Sequence, residues 1–470
     1  MEPMRGLDAK FLYSETPTAH MHTLKVAIFD VGEVPGGVSY EEVVAHLERR
    51  LDRLPPFRQR VVPVPLALGH PVWIEDPDFD LRNHVHARSV APPGGERELA
   101  ALVAEVAGRP LARDRPLWEI VVVDGLAGNR IAAVAKIHHA VADGATSVAL
   151  LLQALATGRS VGPLPQWRPE PVPTRRSLVR MALVAHLRRL RRLPWLVTRS
   201  ATGLRQAAKR RREALVRPPL PLTAPRTPLN VSLTPERTFA MARLSLEDLK
   251  VVGRAFGTTL NDVFLAVCSG ALREYLLRSG ALPDRPLVAS VPLSTAPNTP
   301  RRGGNHVDNL YVSLATDVAD PVERLRHISA VAASAKEMRG ALGTDLFEER
   351  AEIVPPQLYS LAIRAWTRSK LADRVRPPLN LVVSNVPGPS EPICVGAAKL
   401  EALYSVGPIL EGIGCNITAW SYTGNMYVSV LGSPPSLPDP WPIIDALHRS
   451  LDELTSAASS VGAPAAAPGP

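Results

Sequence analysis

Apolar runs and helical periodicities alternate along the chain in two successive halves. In the first half a strand is expected over 24–31, then a helix opening at Ser39. Glu42 stands three positions on, a capping-box pattern, and Val43, Val44 and Leu47 recur at helical spacing. Extended segments follow around 58–64, 71–75 and 84–90, and 96–106 reads as helix again. Pro116-Leu117-Trp118 opens a strand through Val123, which turns across 124–129 into a second strand, 131–137. An apolar helix over 144–157 ends at Gly158.

The second half repeats the alternation. Strands are expected over 239–244, 287–292, 307–314 and 379–384, and helices over 245–256, 261–278, 322–338 and 346–371. The apolar strand 379–384 ends in the compact loop Ser384-Asn385-Val386-Pro387-Gly388-Pro389. A hairpin over 414–431, turning at Thr423-Gly424-Asn425, and an amphipathic helix over 441–454 complete the pattern. These readings divide the chain into a first lobe (1–161), a Pro/Arg-rich crossover (162–235), a second lobe (236–456) and a low-complexity tail (457–470) expected to be disordered.

The crossover changes the charge picture. The chain carries a formal +9, yet 175–217 holds thirteen arginines, Lys209 and the single acid Glu213, a local +13 that leaves −4 for the rest. Helix-compatible pieces with mixed basic and apolar residues lie in its middle, including Trp195. The first reading is a solvated linker that wraps the molecule. The second is a basic amphipathic surface in peripheral contact with a membrane or lipid droplet. Nucleic-acid binding ranks third, since the segment has one aromatic residue and no reading module.

Length and composition bound the class. A chain of 470 residues can bury a large core in two domains or lobes. Its 47 prolines, about twice the usual ~5% share, call for many loops and a stiff linker. Cys268, Cys394 and Cys415 are too few and too scattered for a disulfide framework or a zinc site, which fits a reducing cytosol. No secretory pattern opens the sequence, and the longest uncharged run, 412–438, reads as a buried hairpin and not a membrane span.

The candidate chemistry sits at 137–144, Ile-His-His-Ala-Val-Ala-Asp-Gly, where a strand gives way to a helix. Successive strand side chains point to opposite faces, so His138 and His139 cannot both look into one space, and one of them is expected to be structural. A strand-end histidine with one ring nitrogen held and the other free can take a proton near neutral pH. Asp143 could orient that ring or turn away to pin the loop against an arginine; Gly144 permits a tight turn or a close backbone approach. Core packing of the pair competes with this. Metal ligation ranks lower, because adjacent strand residues diverge and no metal-binding spacing accompanies them. The pairs His20/His22 and His84/His86 share strand faces but have no acidic or thiol partner nearby in sequence, and read as structural or pocket-lining.

Together, Leu7-Asp8-Ala9, Glu15-Thr16-Pro17, Met21-His22, Pro116-Leu117-Trp118, His138 to Gly144, Asn261-Asp262-Val263 and Ser384 to Pro389 resemble the bacterial bifunctional wax ester synthase/acyl-CoA:diacylglycerol acyltransferase family, in its actinobacterial triacylglycerol synthase form. The landmarks fall in the family's order from about residue 5 to about 455, with no departure in the motif cores. His-His-x-x-x-Asp-Gly alone also marks the wider chloramphenicol-acetyltransferase-like superfamily, including nonribosomal condensation domains. The other elements narrow the resemblance.

The likeness implies a mixed α/β fold of two chloramphenicol-acetyltransferase-like lobes, each a mixed sheet flanked by helices, with an active-site tunnel between them. It implies transfer of a long-chain acyl group from acyl-CoA to diacylglycerol or a fatty alcohol, with CoA as the substrate's carrier and no metal or prosthetic group. Direct attack needs one base, expected to be His139, with His138 in support. By similarity Asp143 fixes the loop and Gly144 leaves room for substrate. Asn261 is the candidate donor to the thioester oxyanion, braced by Asp262, unless Asn261 only caps its helix. Pro116, Leu117 and Trp118 are expected to shape the acyl tunnel or pack the core, with Ser384 and Asn385 also near substrate. Transfer from a carrier-protein thioester, or a catalytically silent droplet-binding protein, are the competing readings.

Overall fold

A computed structural model of the chain describes residues 1–142, 144–155, 169, 171–214, 216–220, 222–294, 307–342, 355–389 and 391–462. In the first half, β1 (Glu2–Pro3) and α1 (Gly6–Ser14) precede β2 (His22–Asp30) and α2 (Tyr40–Glu48). The capping box closes as expected: the Ser39 hydroxyl accepts from the Glu42 N–H, and the Glu42 carboxylate accepts from the Ser39 N–H. Next come β3 (Gln59–Val62), β4 (Val72–Glu75), β5 (Val85–Ser89), α3 (Glu96–Gly108), β6 (Trp118–Leu126), β7 (Arg130–His138) and α4 (Gly144–Leu155). Gly158, the expected stop of α4, lies outside the described residues. The β6/β7 turn starts later than expected, because Gly125, at φ 77°, forms a bulge that carries β6 on to Leu126.

Within the crossover, the helix-compatible basic stretch forms one helix, α5 (Arg175–Glu213), capped by the Thr174 hydroxyl and continuous through Pro194. Arginine, leucine and alanine all favour helix, and Leu178 and Ala182 are buried against Val64, Val72 and Ile74, which gives it a packed foothold.

The second half supplies β8 (Thr238–Ser245), α6 (Leu246–Phe256), α7 (Leu260–Arg278), β9 (Val288–Ser294), β10 (Val307–Ser313), α8 (Pro321–Leu342) and α9 (Pro356–Arg368). Of the helix expected over 346–371, residues 346–354 lie outside the described residues. Then follow β11 (Leu381–Val386), β12 (Cys394–Val395), β13 (Ala398–Val406), β14 (Cys415–Tyr422), β15 (Asn425–Gly432) and α10 (Trp441–Gly462). The β14/β15 turn places Thr423 at φ 41° and Gly424 at φ 80°, the two positive angles that match a tight hairpin to strand twist. Helix α10 runs past the amphipathic stretch that ends at Leu454, so 457–462 is helical and not tail. Ala458 is buried in the second-lobe core and holds it there.

Two six-stranded sheets organise the molecule: β12-β13-β2-β7-β6-β5 and β10-β9-β11-β14-β15-β8. The first takes two strands from the second half of the chain, with β13 paired to β2 through Leu403 opposite Ala27 and Val406 opposite Leu24. The first sheet is therefore shared by both halves of the chain. One apolar core joins Leu24 and Val26 to Val406, Trp420 and Tyr427, and each such fully buried side chain contributes about 1.5–3 kcal/mol. A second core belongs to the C-terminal lobe, where α7 is buried from Val263 to Ser269 and packs with α10. No single helix among the described residues is long and apolar enough to cross a membrane. The bent pair α6/α7, turned by 105°, is apolar because α7 fills this core.

Candidate active site

Strand β7 lies in the middle of the first sheet and delivers the histidine pair at its end. Directly opposite residues of an antiparallel pair share a face, so His138 joins His22. Lys136 lies two residues back on that face, and its ammonium donates to the carbonyls of Val106 and Arg109 at the end of α3, at 2.9 Å each. His138 therefore looks towards α3 and is 1% exposed.

The ring of His138 is committed. Its Nδ1 accepts the Ala140 N–H at 3.0 Å, which leaves the proton of the neutral ring on Nε2, 3.5 Å from Glu15 Oε2. Burial, with the positive charge of Arg113 beside it, holds it well below the usual histidine range. Arg113 pairs with Glu15 and is itself pushed down to about 10 by burial. The main chain of His138 is held as well, its N–H by the Leu117 carbonyl at 2.9 Å and its carbonyl by the Val141 N–H at 2.9 Å. These bonds set the sharp corner between β7 and α4.

His139 lies beyond that corner. It is only half-buried. Its N–H donates to the Met21 carbonyl at 2.8 Å, and its ring stacks on Phe11 of α1 with centroids 4.0 Å apart and planes at 11°. His138 is the last residue of β7 and His139 the first of the turn, and the two rings have different contacts: His138 meets Glu15 at the end of α1, and His139 stacks on Phe11. Gly144 opens α4; Asp143 lies outside the described residues.

The other histidine pairs differ in their contacts. His22 is buried edge-on to His138, with ring centroids at 5.8 Å, and neither of its nitrogens has a partner among the described residues. Burial first, with the Lys136 ammonium nearby, keeps it well below the normal range. His20 bonds the Gly108 carbonyl at 3.0 Å and is lowered to about 4, mainly by burial and then by Arg237. His84 stacks on Trp118, while His86 is exposed. Among the described residues no group of three or more His, Cys, Asp or Glu side chains is placed to hold a metal ion.

Pro116, Leu117 and Trp118 are all buried. Trp118 lies between Phe57 and His84, with centroids at 4.5 Å from each, and its indole N–H donates to the Phe57 carbonyl at 2.7 Å. Leu117 and Trp118 belong to the apolar cluster with Leu47, Leu54 and Phe57. The Leu117 carbonyl is what ties the motif to the histidine corner.

In the second lobe the cap of α7 is Thr259, not Asn261, which corrects one expectation. Thr259 exchanges bonds with Asp262 at 3.1 and 3.2 Å, because Asp262 sits at the third helical position, where its carboxylate reaches back. Asp262 also accepts from Ser329 at 3.1 Å, so it braces this helix start. Asn261 is half-buried and free of the capping role, but no described contact joins it to His139. Ser384 and Asn385 lie on β11, opposite Thr418 and Ala419 of β14. Beyond them a Cβ at Gly388 would overlap the Trp420 indole, which is why the Val-Pro-Gly-Pro loop needs glycine there.

Sequence reasoning gave Phe11 and Glu15 no role, although Glu15 stands in a quoted motif. Lys25 was missed too. It is 2% exposed, donates to Ser405 at 2.5 Å and lies 5.1 Å from the Trp420 ring centroid, stitching β2 to strands of the second half. Only the fold brings such distant residues together.

Comparison with known proteins agrees with this architecture. Residues 4–264 match the model of the wax ester synthase/diacylglycerol acyltransferase catalytic domain, and 303–455 match the family's C-terminal domain. A candidate diacylglycerol O-acyltransferase of Mycobacterium tuberculosis is 41% identical over 463 residues, 97% of each chain. A second from the same organism is 35% identical over 462 residues, 97% of this chain and 90% of its own. The solved wax ester synthase/diacylglycerol acyltransferase of Marinobacter aquaeolei superposes with a TM-score of 0.69 at 28% identity, over 98% of this chain and 100% of that one. The first condensation domain of the CDA synthetase, at 16% identity and a TM-score of 0.59 over 98% of this chain and 97% of its own, shares the fold. The two-lobed mixed α/β architecture, the motif order and these matches place the chain in the wax ester synthase/diacylglycerol acyltransferase family of acyltransferases.

Proposed function

We propose that the protein transfers a long-chain acyl group from acyl-CoA to the free hydroxyl of diacylglycerol, with a fatty alcohol as a second acceptor. His139 is the general base in direct attack on the thioester, without an acyl-enzyme intermediate. One observation carries the choice of base: His138 is buried and neutral, with Nδ1 on the Ala140 N–H, whereas the half-buried His139 is the more accessible of the two rings. A thioester is already activated, so one positioned base that removes the hydroxyl proton as the C–O bond forms is sufficient; CoA leaves as the thiol.

His138, through Glu15 and Arg113, keeps the corner in shape; the family likeness assigns Asp143 to fixing the loop and Gly144, which opens α4, to leaving room for substrate. Asn261 is the proposed donor to the oxyanion, with Asp262 bracing it. Ser384 and Asn385 line the approach from the second lobe. The test is CoA release by purified protein across a panel of acceptors. Release should need a lipid alcohol and disappear in His139→Ala with the melting temperature unchanged. A fully active His139→Ala protein overturns the mechanism, and turnover of a carrier-protein thioester but not of acyl-CoA overturns the donor.

Peripheral contact with an anionic lipid surface at the cytoplasmic side fits α5. Its Leu183, Val184, Leu187, Trp195 and Val197 are exposed among arginines. Leu66, Leu358 and Leu361 protrude nearby: Gln357 of α9 donates to the Leu66 carbonyl, and Tyr359 meets Ser14 of α1 at 3.0 Å. Phe11 on that same α1 covers His139.

A further inference from the structure

The sheet face opposite α3 is covered by α2 and α4, and the cover is incomplete. A cavity of about 810 Å3 remains there, within the roughly 300–1,000 Å3 of small-molecule sites. Its floor is paved with small side chains: Ala27 lies directly opposite Ala133, and Ala135, Ala154 and Ala398 extend the surface. Larger residues at these positions would have filled the space to the density of a normal interior. Ala133 stays partly open in the middle of a central strand for this reason.

The mouth has a different chemistry. Arg49, Arg50 and Arg53 line it with His46, whose ring bonds the Ala154 carbonyl at 2.8 Å and ties α2 to α4. Arg50 is buried and engaged. Arg49 is exposed and Arg53 half-buried, and neither forms an ion pair among the described residues. The one acid in the lining, Glu42, already accepts from the Ser39 N–H and hydroxyl at 2.8 and 3.0 Å. The entrance is therefore positive and the interior apolar.

Neither His138 nor His139 lines this space. The β7 residue of the lining closest to them is Ala135, four residues before His139 and about 14 Å away along an extended chain. We propose that the cavity is a second lipid site, which holds one long acyl chain along the alanine floor with its anionic head at Arg49 and Arg53. A fatty-acid carboxylate and the phosphates of an acyl-CoA share this head-group chemistry. The inference stands whether or not His139 is the base.

The experiment is equilibrium binding of the fluorescent fatty acid cis-parinaric acid to full-length His139→Ala protein, which cannot turn substrate over if the proposed mechanism holds. Palmitate, hexadecanol and a non-hydrolysable palmitoyl-CoA analogue serve as competitors. Saturable binding is expected, weakened about tenfold or more for palmitate by the Arg49→Glu/Arg53→Glu pair with hexadecanol unaffected, and lost in Ala133→Phe. Displacement by palmitate and not by the CoA analogue identifies the carboxylate as the head; the reverse identifies acyl-CoA. No saturable binding, binding untouched by the arginine pair, or hexadecanol bound as tightly as palmitate overturns the proposal. If Ala133→Phe does not fold, the arginine pair at the surface decides alone.

Discussion

At His138 the consequence of geometry is energetic. Its Nδ1 satisfies a buried N–H, so His138→Ala leaves the Ala140 donor unpaired, at a cost of about 1–3 kcal/mol. The melting temperature should fall accordingly, and His138→Asn, whose amide oxygen can accept near the position of Nδ1, should recover part of the loss. Equal melting temperatures for the alanine and asparagine variants would contradict the role given to that bond. Burial also makes His20, His22 and His138 resist protonation. Their folded pKa values lie below 6.5, so the unfolded chain takes up protons first as pH falls. The stability they preserve above 6.5 is thus lost towards the folded values, about 4 for His20. Thermal melts between about pH 7 and pH 4 should show stability declining with acid, and His22→Phe should flatten the slope.

At the level of elements, α5 and α7 show how local chemistry meets packing. Periodicity located α7, while its cap emerged only from the exchange of bonds between Thr259 and Asp262. Thr259→Ala should cost about 1 kcal/mol in denaturant unfolding. For α5 the sequence conveyed composition but not continuity: Leu178 and Ala182 look ordinary until Val64, Val72 and Ile74 are placed beneath them. Its outer face supports a second test. Flotation with anionic vesicles should retain the protein at low salt and release it as salt rises, and Leu183→Glu/Leu187→Glu should weaken retention even at low salt. Retention that ignores both changes would exclude this helix as the contact.

Across the whole molecule, the exchange of strands decides what can fold alone. Strand β2 ends its own half's sheet with an open edge, and β13 from the far half closes it. Separate expression of 1–220 should give insoluble or partly folded protein, and co-expression with 221–470 should restore soluble complex. A monomeric, cooperatively melting 1–220 fragment would show that the edge is tolerated. Arg237, which donates to the Thr18 carbonyl at 2.7 Å, and Glu411, which accepts from Thr18 at 2.9 Å, add polar ties across the same junction.

The amino-acid sequence by itself determined the mixed α/β class, most of the elements and the motif order that marks the family. Each of these is written locally, in period-2 and period-3.6 patterning, caps and short motifs. Strand parity also led to the expectation that His138 and His139 face apart, but β7 ends at His138, so the turn and not parity sets the His139 ring. The tertiary structure alone decided that the His138 ring is bonded to the backbone, why Glu15, Arg113 and Phe11 surround the pair, and that β13 belongs to the first sheet. It also left an alanine-floored cavity beside that strand. Those outcomes depend on contacts between residues tens to hundreds of positions apart, and local patterning carries no record of which distant surfaces will meet.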